Sequence, residues 1–477
     1  MTASADSLPS SGSPAFRRAI RWVSAQCLGW HYRETRVLHG DRVPPSGAVL
    51  FVGNHPNDLP DVLLGYAATD RPLRYLATIS AATGWLSRRT YDWLGVIPVA
   101  RVRDARKMQA AGVDVVAINR AATDAVGAAL AAGQVVGVFP EGGVRDTCSL
   151  ADFRTGVASM ALKYLDADPS NDLMIVPFGL QYEAPRTYGS DVCTVVGTPF
   201  SVRAWLAATP DERERGAGGL TRAMHEAVAA VTRNAPTWDV AERRDHLVAA
   251  MAGRLAPRDP SSAGPALVAK ATALASSDAP AAVRCQIASG LLADAVRKAG
   301  GIPTSSLDHA RLLFALDVHP QAAPVPTMVI WMGLPAALLG WVVHGPLFAA
   351  IRLVANRAAK ERSDVVALRF IPGLFIAVLW YLLLGIGAAV ALASAGWSPL
   401  WVLPALLVLP RFGDLAVGWQ RWFTAWRMVR RVHQWGTPER MALREASATL
   451  AAEWAPTERA QTDLPVDYTA RMTTRNA

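Results

Sequence analysis

The chain has 477 residues, of which 51% are hydrophobic and 18% charged, against ~25% charged in ordinary soluble domains. That composition excludes a largely disordered chain, and the length, at ~100–200 residues per domain, leaves room for two to four units. The net charge of +9 rests on arginine, since only five of the 48 basic residues are lysines. Arginine's planar fork suits phosphate. With no zinc-finger spacing, RNP-like run or compact basic block, nucleic acid is not an expected partner. Cys27, Cys148, Cys193 and Cys285 are far apart and form no CxxC pair, so free thiols are expected and a cysteine-held metal is not.

Residues 1–13 read as a disordered leader with no secretory signal. Residues 14–30 form a short basic amphipathic helix, with Phe16, Ile20, Val23 and Leu28 among Arg17, Arg18 and Arg21. It is either docked on a domain or laid on a membrane surface. From about 35 to 200, short apolar runs alternate with helical stretches. Strands are expected at Ala48–Val52, Arg74–Thr78, Val96–Val99, Val135–Phe139, Leu173–Phe178 and Val192–Val196. Helices are expected at about 61–68, 80–92, 107–131 and 154–166. This alternation predicts an α/β domain with a partly parallel sheet. Residues 201–323 read as an Ala-rich helical extension of that domain.

Residues 324–418 are apolar enough for a bilayer. No Asp, Glu, Lys or Arg occurs between Val318 and Arg352, and residues 370–410 are uncharged as well. A membrane span needs ~20 such residues. Pro335 and His344-Gly345-Pro346 interrupt the first run, which is therefore expected to dip into one leaflet and return. Residues 370–394 and 399–418 are expected to make a hairpin. After 419, Trp419, Trp422, Trp426 and Trp435 alternate with arginines, a basic amphipathic helix fit for the headgroup layer, followed by a loose tail to 477.

Four segments carry chemistry. In Asn54-His55-Pro56-Asn57-Asp58-Leu59-Pro60-Asp61, a histidine leaves a strand end and Pro60 fits the first turn of a new helix. Asp61 can then turn back to hold one imidazole nitrogen while the other takes a proton from an alcohol. Asp58 is the competing partner. Gly95-Val96-Ile97-Pro98-Val99-Ala100-Arg101 ends a strand on a phosphate-sized donor. Phe139-Pro140-Glu141-Gly142-Gly143 ends another with a carboxylate and glycines, and Val176-Pro177-Phe178-Gly179 marks a third. Ligands of open α/β sheets bind at such strand ends.

In this order the four segments resemble the blocks of the glycerophospholipid acyltransferase (PlsC-like) family. The five-residue spacing from His55 to Asp61 is similar to the subgroup of glycerol-3-phosphate and dihydroxyacetone-phosphate acyltransferases with NHPNxxxD, as are Phe153-Arg154-Thr155-Gly156 and Val366-Ala367-Leu368-Arg369-Phe370. Gly143-Val144-Arg145-Asp146 departs from the family pattern, and Arg145 either joins the phosphate site or faces solvent.

The resemblance implies His55 as base and Asp61 as its orienting partner, with Asn54, Arg101, Glu141, Gly142, Arg154 and Pro177 around the acceptor. It implies an α/β acyltransferase domain with a helical extension and a membrane-embedded helical C-terminal section. The implied partners are an acyl donor (a CoA thioester or acyl carrier protein), a glycerol phosphate acceptor and a lipid bilayer. No cofactor or metal is implied. The activity it implies is acyl transfer to glycerol 3-phosphate, with lysophosphatidic acid as the alternative acceptor and a non-catalytic lipid-binding scaffold as the rival. The implied place is a membrane, a bacterial inner membrane with the catalytic domain facing the cytoplasm.

Overall fold

The computed structural model describes residues 14–79, 89, 91–92, 94–144, 147–255, 265–318, 326–359 and 364–453. The expected leader, most of the expected helix at 80–92, Arg145 and the tail beyond 453 lie outside the described residues. The chain forms two compact units. One holds the sheet and runs to residue 234, with the first residues of a later helix, 364–367; the other holds the helices from 235 onward and residues 189–191.

In the first unit, α1 (Pro14–His31) is followed by β1 (Glu34–Leu38), β2 (Val49–Gly53), α2 (Leu59–Ala68), β3 (Leu73–Thr78) and β4 (Ile97–Val99). Then come α3 (Val102–Ala110), α4 (Val115–Ala131), β5 (Val135–Val138), α5 (Gly156–Ala167), β6 (Met174–Tyr182), β7 (Asp191–Val196) and β8 (Phe200–Ser201). Three helices close the unit: α6 (Val202–Ala208), α7 (Pro210–Glu214) and α8 (Ala217–Ala229). The strand order is β1-β7-β6-β2-β5-β3-β4. From β4 to β6 neighbouring strands run parallel, and β7 and β8 add to β6 antiparallel. The near-continuous apolar run Val49–Val52 is fully buried, as a central strand covered on both faces requires. Leu50, Val52, Val136, Val138 and Ile175 pack with Val126, Leu130, Ala158, Ala161, Met224 and Val228 of the helices into one core.

α1 takes the docked alternative. It packs on α2 and buries Ile20, Ser24 and Leu28, leaving Trp22 exposed. The expected single helix at 107–131 is two, because Gly112 takes φ +77 and Asp114 caps α4 by accepting from Val116 and Ala117 N–H, both at 3.0 Å. The strand expected at Leu173–Phe178 runs on to Tyr182, since β7 continues to pair with it as far as Val192.

The second unit contains α9 (Trp238–Leu255), α10 (Pro265–Ala275), α11 (Pro280–Ala299), α12 (Ser306–Ala315), α13 (Thr327–Ala358), α14 (Asp364–Ser394), α15 (Val402–His433) and α16 (Thr437–Glu453). The helical region expected as one extension at 201–323 is therefore divided: α8 packs on β6 and α5, whereas α9 to α12 pack with one another and with α15 and α16.

Three helical stretches, Thr327–Ala358, Val365–Ser394 and Pro399–His433, are long and apolar enough to cross a membrane. The expected dip in the first is overturned, because α13 is continuous with Pro335 and Pro346 inside it. A proline removes one backbone hydrogen bond, and in apolar surroundings no water competes for the remaining ones, so the helix outlasts the interruption. α15 carries the apolar run and the Trp/Arg segment as one helix. α13 and α15 run antiparallel, joined by Trp419 Nε1 to Ile330 O at 2.7 Å and Trp426 Nε1 to Thr327 Oγ1 at 3.0 Å. Arg430 lies 4.9 Å over the Trp426 ring, the cation–π pairing suited to a headgroup level.

Candidate active site

β2 ends at Gly53, opposite Phe178 of β6, with β5 on its other side ending at Val138. The chain leaving these two ends brings His55 and Phe139–Gly142 together. Pro60 sits in the first turn of α2, as its fixed φ favours, and Asp61 follows in that turn. The His55 Nδ1 to Asp61 Oδ2 distance is 2.8 Å, so the five-residue spacing does close into a pair. Asp58, the competing carboxylate, is the N-cap residue with φ 55 and ψ −123 and makes no capping bond through its side chain. This is a strained conformation for a residue with a Cβ.

Asp61 is completely buried. Its Oδ2 also accepts the Asn57 N–H at 2.7 Å, and its Oδ1 accepts the Tyr182 hydroxyl. A buried carboxylate is tolerable only when its lone pairs are filled in this way. The imidazole of His55 lies flat on Phe139, with centroids 4.3 Å apart and planes 7° from parallel. Phe139 in turn stacks on Tyr75 at 5.6 Å. Gly137 permits this column, since a Cβ there would lie 2.6 Å from the Tyr75 ring. With Nδ1 committed to Asp61 and the ring plane fixed, Nε2 is the nitrogen left for a substrate hydroxyl.

Both carboxylate oxygens of Glu141 are engaged by backbone N–H groups. Its Oε1 accepts the backbone N–H of His55 at 2.7 Å and its Oε2 accepts that of Ala151 at 3.2 Å. The carboxylate thus ties the histidine loop to the 147–151 loop. Burial pushes the Glu141 carboxyl above its usual range, against the opposing pull of those two N–H groups. Asn54 is likewise a positioning group: its Oδ1 accepts Leu180 N–H at 2.7 Å and its Nδ2 donates to Leu180 O at 3.2 Å, which carries strand-like pairing past the end of β2. Pro177 lies mid-strand opposite Val52, and a Cβ on Gly197 would lie 2.8 Å from its Cγ. It is not at a strand end beside His55.

The phosphate-binding candidates sit at the rim. Arg101 is half-buried two residues beyond β4. Asn119 of α4 holds the preceding residue, accepting Ala100 N–H at 2.9 Å and donating to Ala100 O at 3.1 Å. The Tyr91 hydroxyl is pushed up by burial and by Asp58, against a smaller opposing pull from Arg101, so both charges act on that phenol. Gly142 takes φ +75, and a Cβ there would lie 3.5 Å from Arg154 Cγ, so the exposed Arg154 side chain passes over the Glu-Gly turn. Among the described residues, no three His, Cys, Asp or Glu side chains gather as a metal site requires. Phe139, Asn119 and Tyr182 were not expected as site residues. Phe139 alone stood inside a motif.

Residues 35–181 match the family model named Acyltransferase. The chain is 34% identical over 105 residues to glycerol-3-phosphate O-acyltransferase 2 of Saccharomyces cerevisiae, covering 22% of this chain and 14% of that protein. It is 37% identical over 79 residues to glycerol-3-phosphate O-acyltransferase 1 of the same yeast, covering 17% and 10%. The chain thus spans about a seventh or less of these relatives' length. Among solved structures, the 1-acyl-sn-glycerophosphate acyltransferase PlsC from Thermotoga maritima aligns over 44% of this chain and 78% of its own, at 14% identity and a TM-score of 0.31. The segment from 35 to 181, which contains His55, Asp61, Arg101, Glu141 and Gly142, is an acyltransferase-family domain.

Proposed function

We propose that the chain is a membrane-bound glycerolipid O-acyltransferase that moves a fatty acyl group from a CoA or acyl-carrier-protein thioester to glycerol 3-phosphate. The observation that carries this reading is the His55–Asp61 pair, with Nδ1 held at 2.8 Å and Nε2 left for an alcohol. His55 Nε2 takes the proton of a glycerol hydroxyl as that oxygen attacks the thioester carbonyl. The C–O bond forms, the C–S bond breaks, and the departing thiolate takes the proton from the imidazolium. The nucleophile is the substrate's own oxygen, so no covalent acyl-enzyme is needed. Arg101 and Arg154 bind the acceptor phosphate. The three apolar helices anchor the chain in a membrane, where the acylated product belongs. The catalytic domain faces the compartment that supplies the thioester, which is the cytoplasm.

The test is an assay of membranes carrying the chain, offering glycerol 3-phosphate or lysophosphatidic acid with each donor. Acylated glycerol 3-phosphate is expected, and none from the His55→Ala chain. Transfer to lysophosphatidic acid alone replaces the acceptor, and no transfer to either overturns the reading.

A further inference from the structure

Asp61 has two oxygens with different partners. Oδ2 serves His55 Nδ1 and the Asn57 N–H, while Oδ1 takes the hydroxyl of Tyr182, a residue 121 positions away at the far end of β6. Rotation of the carboxylate about Cβ–Cγ would exchange these oxygens or draw Oδ2 off the imidazole. One anchored oxygen prevents it. We propose that Tyr182 is a positioning residue of the catalytic pair, its hydroxyl fixing Asp61 Oδ1 so that Oδ2 stays on His55.

The surroundings make Tyr182 a dedicated donor. It is buried, and burial, Asp61 and Tyr32 all push its phenol well above the usual range, so its proton stays on. The ring is held by Tyr32, whose centroid lies 5.6 Å away. Tyr32 Oη accepts Asn57 Nδ2 at 2.7 Å and donates to Pro185 O at 3.2 Å, and Asn57 Nδ2 also reaches Pro185 O at 3.1 Å. The loop that follows β6 therefore secures Asn57, whose backbone N–H is the remaining donor to Asp61. The other titratable groups near Asp61 are Tyr75, which carries a neutral phenol, and Glu141, which is turned to the His55 backbone. In this arrangement Tyr182 acts on the reaction through Asp61 and does not touch substrate.

The inference rests on the proposed chemistry of His55, and a double-mutant cycle on the full-length membrane protein tests it. Tyr182→Phe keeps the ring and removes only the donor. It is expected to lower kcat by about 10- to 100-fold, the loss typical of a hydrogen bond to a charged group, with both KM values within about twofold and a lower Tm, since the buried carboxylate loses one donor. In an Asp61→Asn background the same substitution is expected to cost less than about twofold more, because the group it acts through is gone. Tyr32→Phe, one bond further out, should cost far less than Tyr182→Phe. If Tyr182→Phe fails to fold, Tyr182→Met, which also cannot donate, replaces it. An undiminished kcat in the Tyr182 variant, or losses that simply multiply across the cycle, overturns the proposal. The cycle is also run on thiol release from acyl-CoA in water without acceptor, so a wrong acceptor leaves it readable.

Discussion

Glu141 and His55 are joined backbone to side chain: the His55 N–H donates to Glu141 Oε1 at 2.7 Å. The same carboxylate holds Ala151 N–H, so one residue spans two loops at the mouth of the sheet. Glu141→Gln replaces one acceptor oxygen with an NH₂ that opposes a backbone N–H. The expected outcome is a kcat loss of about 10²-fold through misplacement of the base, with acceptor KM nearly unchanged. A large rise in acceptor KM with kcat preserved would show instead that Glu141 binds the glycerol hydroxyls. Because burial raises the Glu141 carboxyl, protonation should begin to release this tie at a higher pH than for an exposed carboxylate.

The two carboxylates that follow His55 separate by geometry. Asp61 holds the imidazole, and Asp58 sits in a left-handed conformation at the start of α2 without capping it. His55→Ala should reduce kcat by ~10²–10⁴, and Asp61→Asn should come close to it. Asp58→Asn should cost far less. Asp58→Gly relieves the positive φ and should raise Tm by a degree or more. A drop in Tm for the glycine variant would contradict the strain argument.

How much of this site was legible in the sequence depends on where each partner lies along the chain. The His55–Asp61 pair could be read because both members and the helix-starting Pro60 fall within seven residues. Arg101 and Glu141 could be located, since strand ends announce themselves by apolar runs closed by polar residues or glycine. What Glu141 touches could not be read, because a carboxylate at a strand end looks the same whether it meets a ligand or a backbone N–H. Tyr182 was invisible: it lies beyond the strand expected at Leu173–Phe178, and its partner is 121 positions away. In the membrane section the apolar runs were plain, but Pro335 and Pro346 were given the helix-stopping weight that they carry in water, and α13 ignores it.

Arg101 follows β4 on a path fixed by Asn119. Arg101→Lys keeps the charge and loses the two-pronged donor, so acceptor KM should rise about tenfold at saturating donor. Asn119→Ala should produce a smaller change in the same direction by loosening Ala100. An effect confined to the donor KM would move Arg101 to the thioester side of the site.

His309, in α12, is buried with Nδ1 3.1 Å from Ser305 O and Nε2 without a partner, and burial pushes it down to about 4. The Ser305 carbonyl and Asp308 raise it and His246 lowers it further, and burial outweighs the two raising contributions. Its folded value lies below the ordinary 6.5, so the unfolded chain takes up a proton first as pH falls. The stability that neutral His309 permits is therefore complete above about pH 6.5 and is lost progressively toward pH 4, by on the order of 3 kcal/mol. Thermal melts in detergent at pH 7.5 and pH 5 should show this slope in the wild type and a shallower one in His309→Leu. Parallel pH dependence in the two would remove His309 as the cause.

The apolar helices obey a parity constraint. α11 precedes them and α16 follows them, yet these two pack side by side, with Arg284 Nε 2.8 Å from Glu453 Oε1 and Lys298 Nζ 2.5 Å from Glu439 Oε1. Arg444 of α16 adds a bond to Leu316 O, at the end of α12, at 2.7 Å. Segments packed in this way lie on one side of a bilayer, so the chain between them crosses it an even number of times. Three helices long enough to cross lie in that interval, and at most two of them can do so. Ile287 of α11 and Met441 of α16 are both exposed and suit labelling. Ile287→Cys and Met441→Cys, in otherwise cysteine-free chains, should react with an impermeant maleimide from the same face of sealed vesicles. Reaction from opposite faces would falsify the shared bundle of α11 and α16 and restore three full crossings.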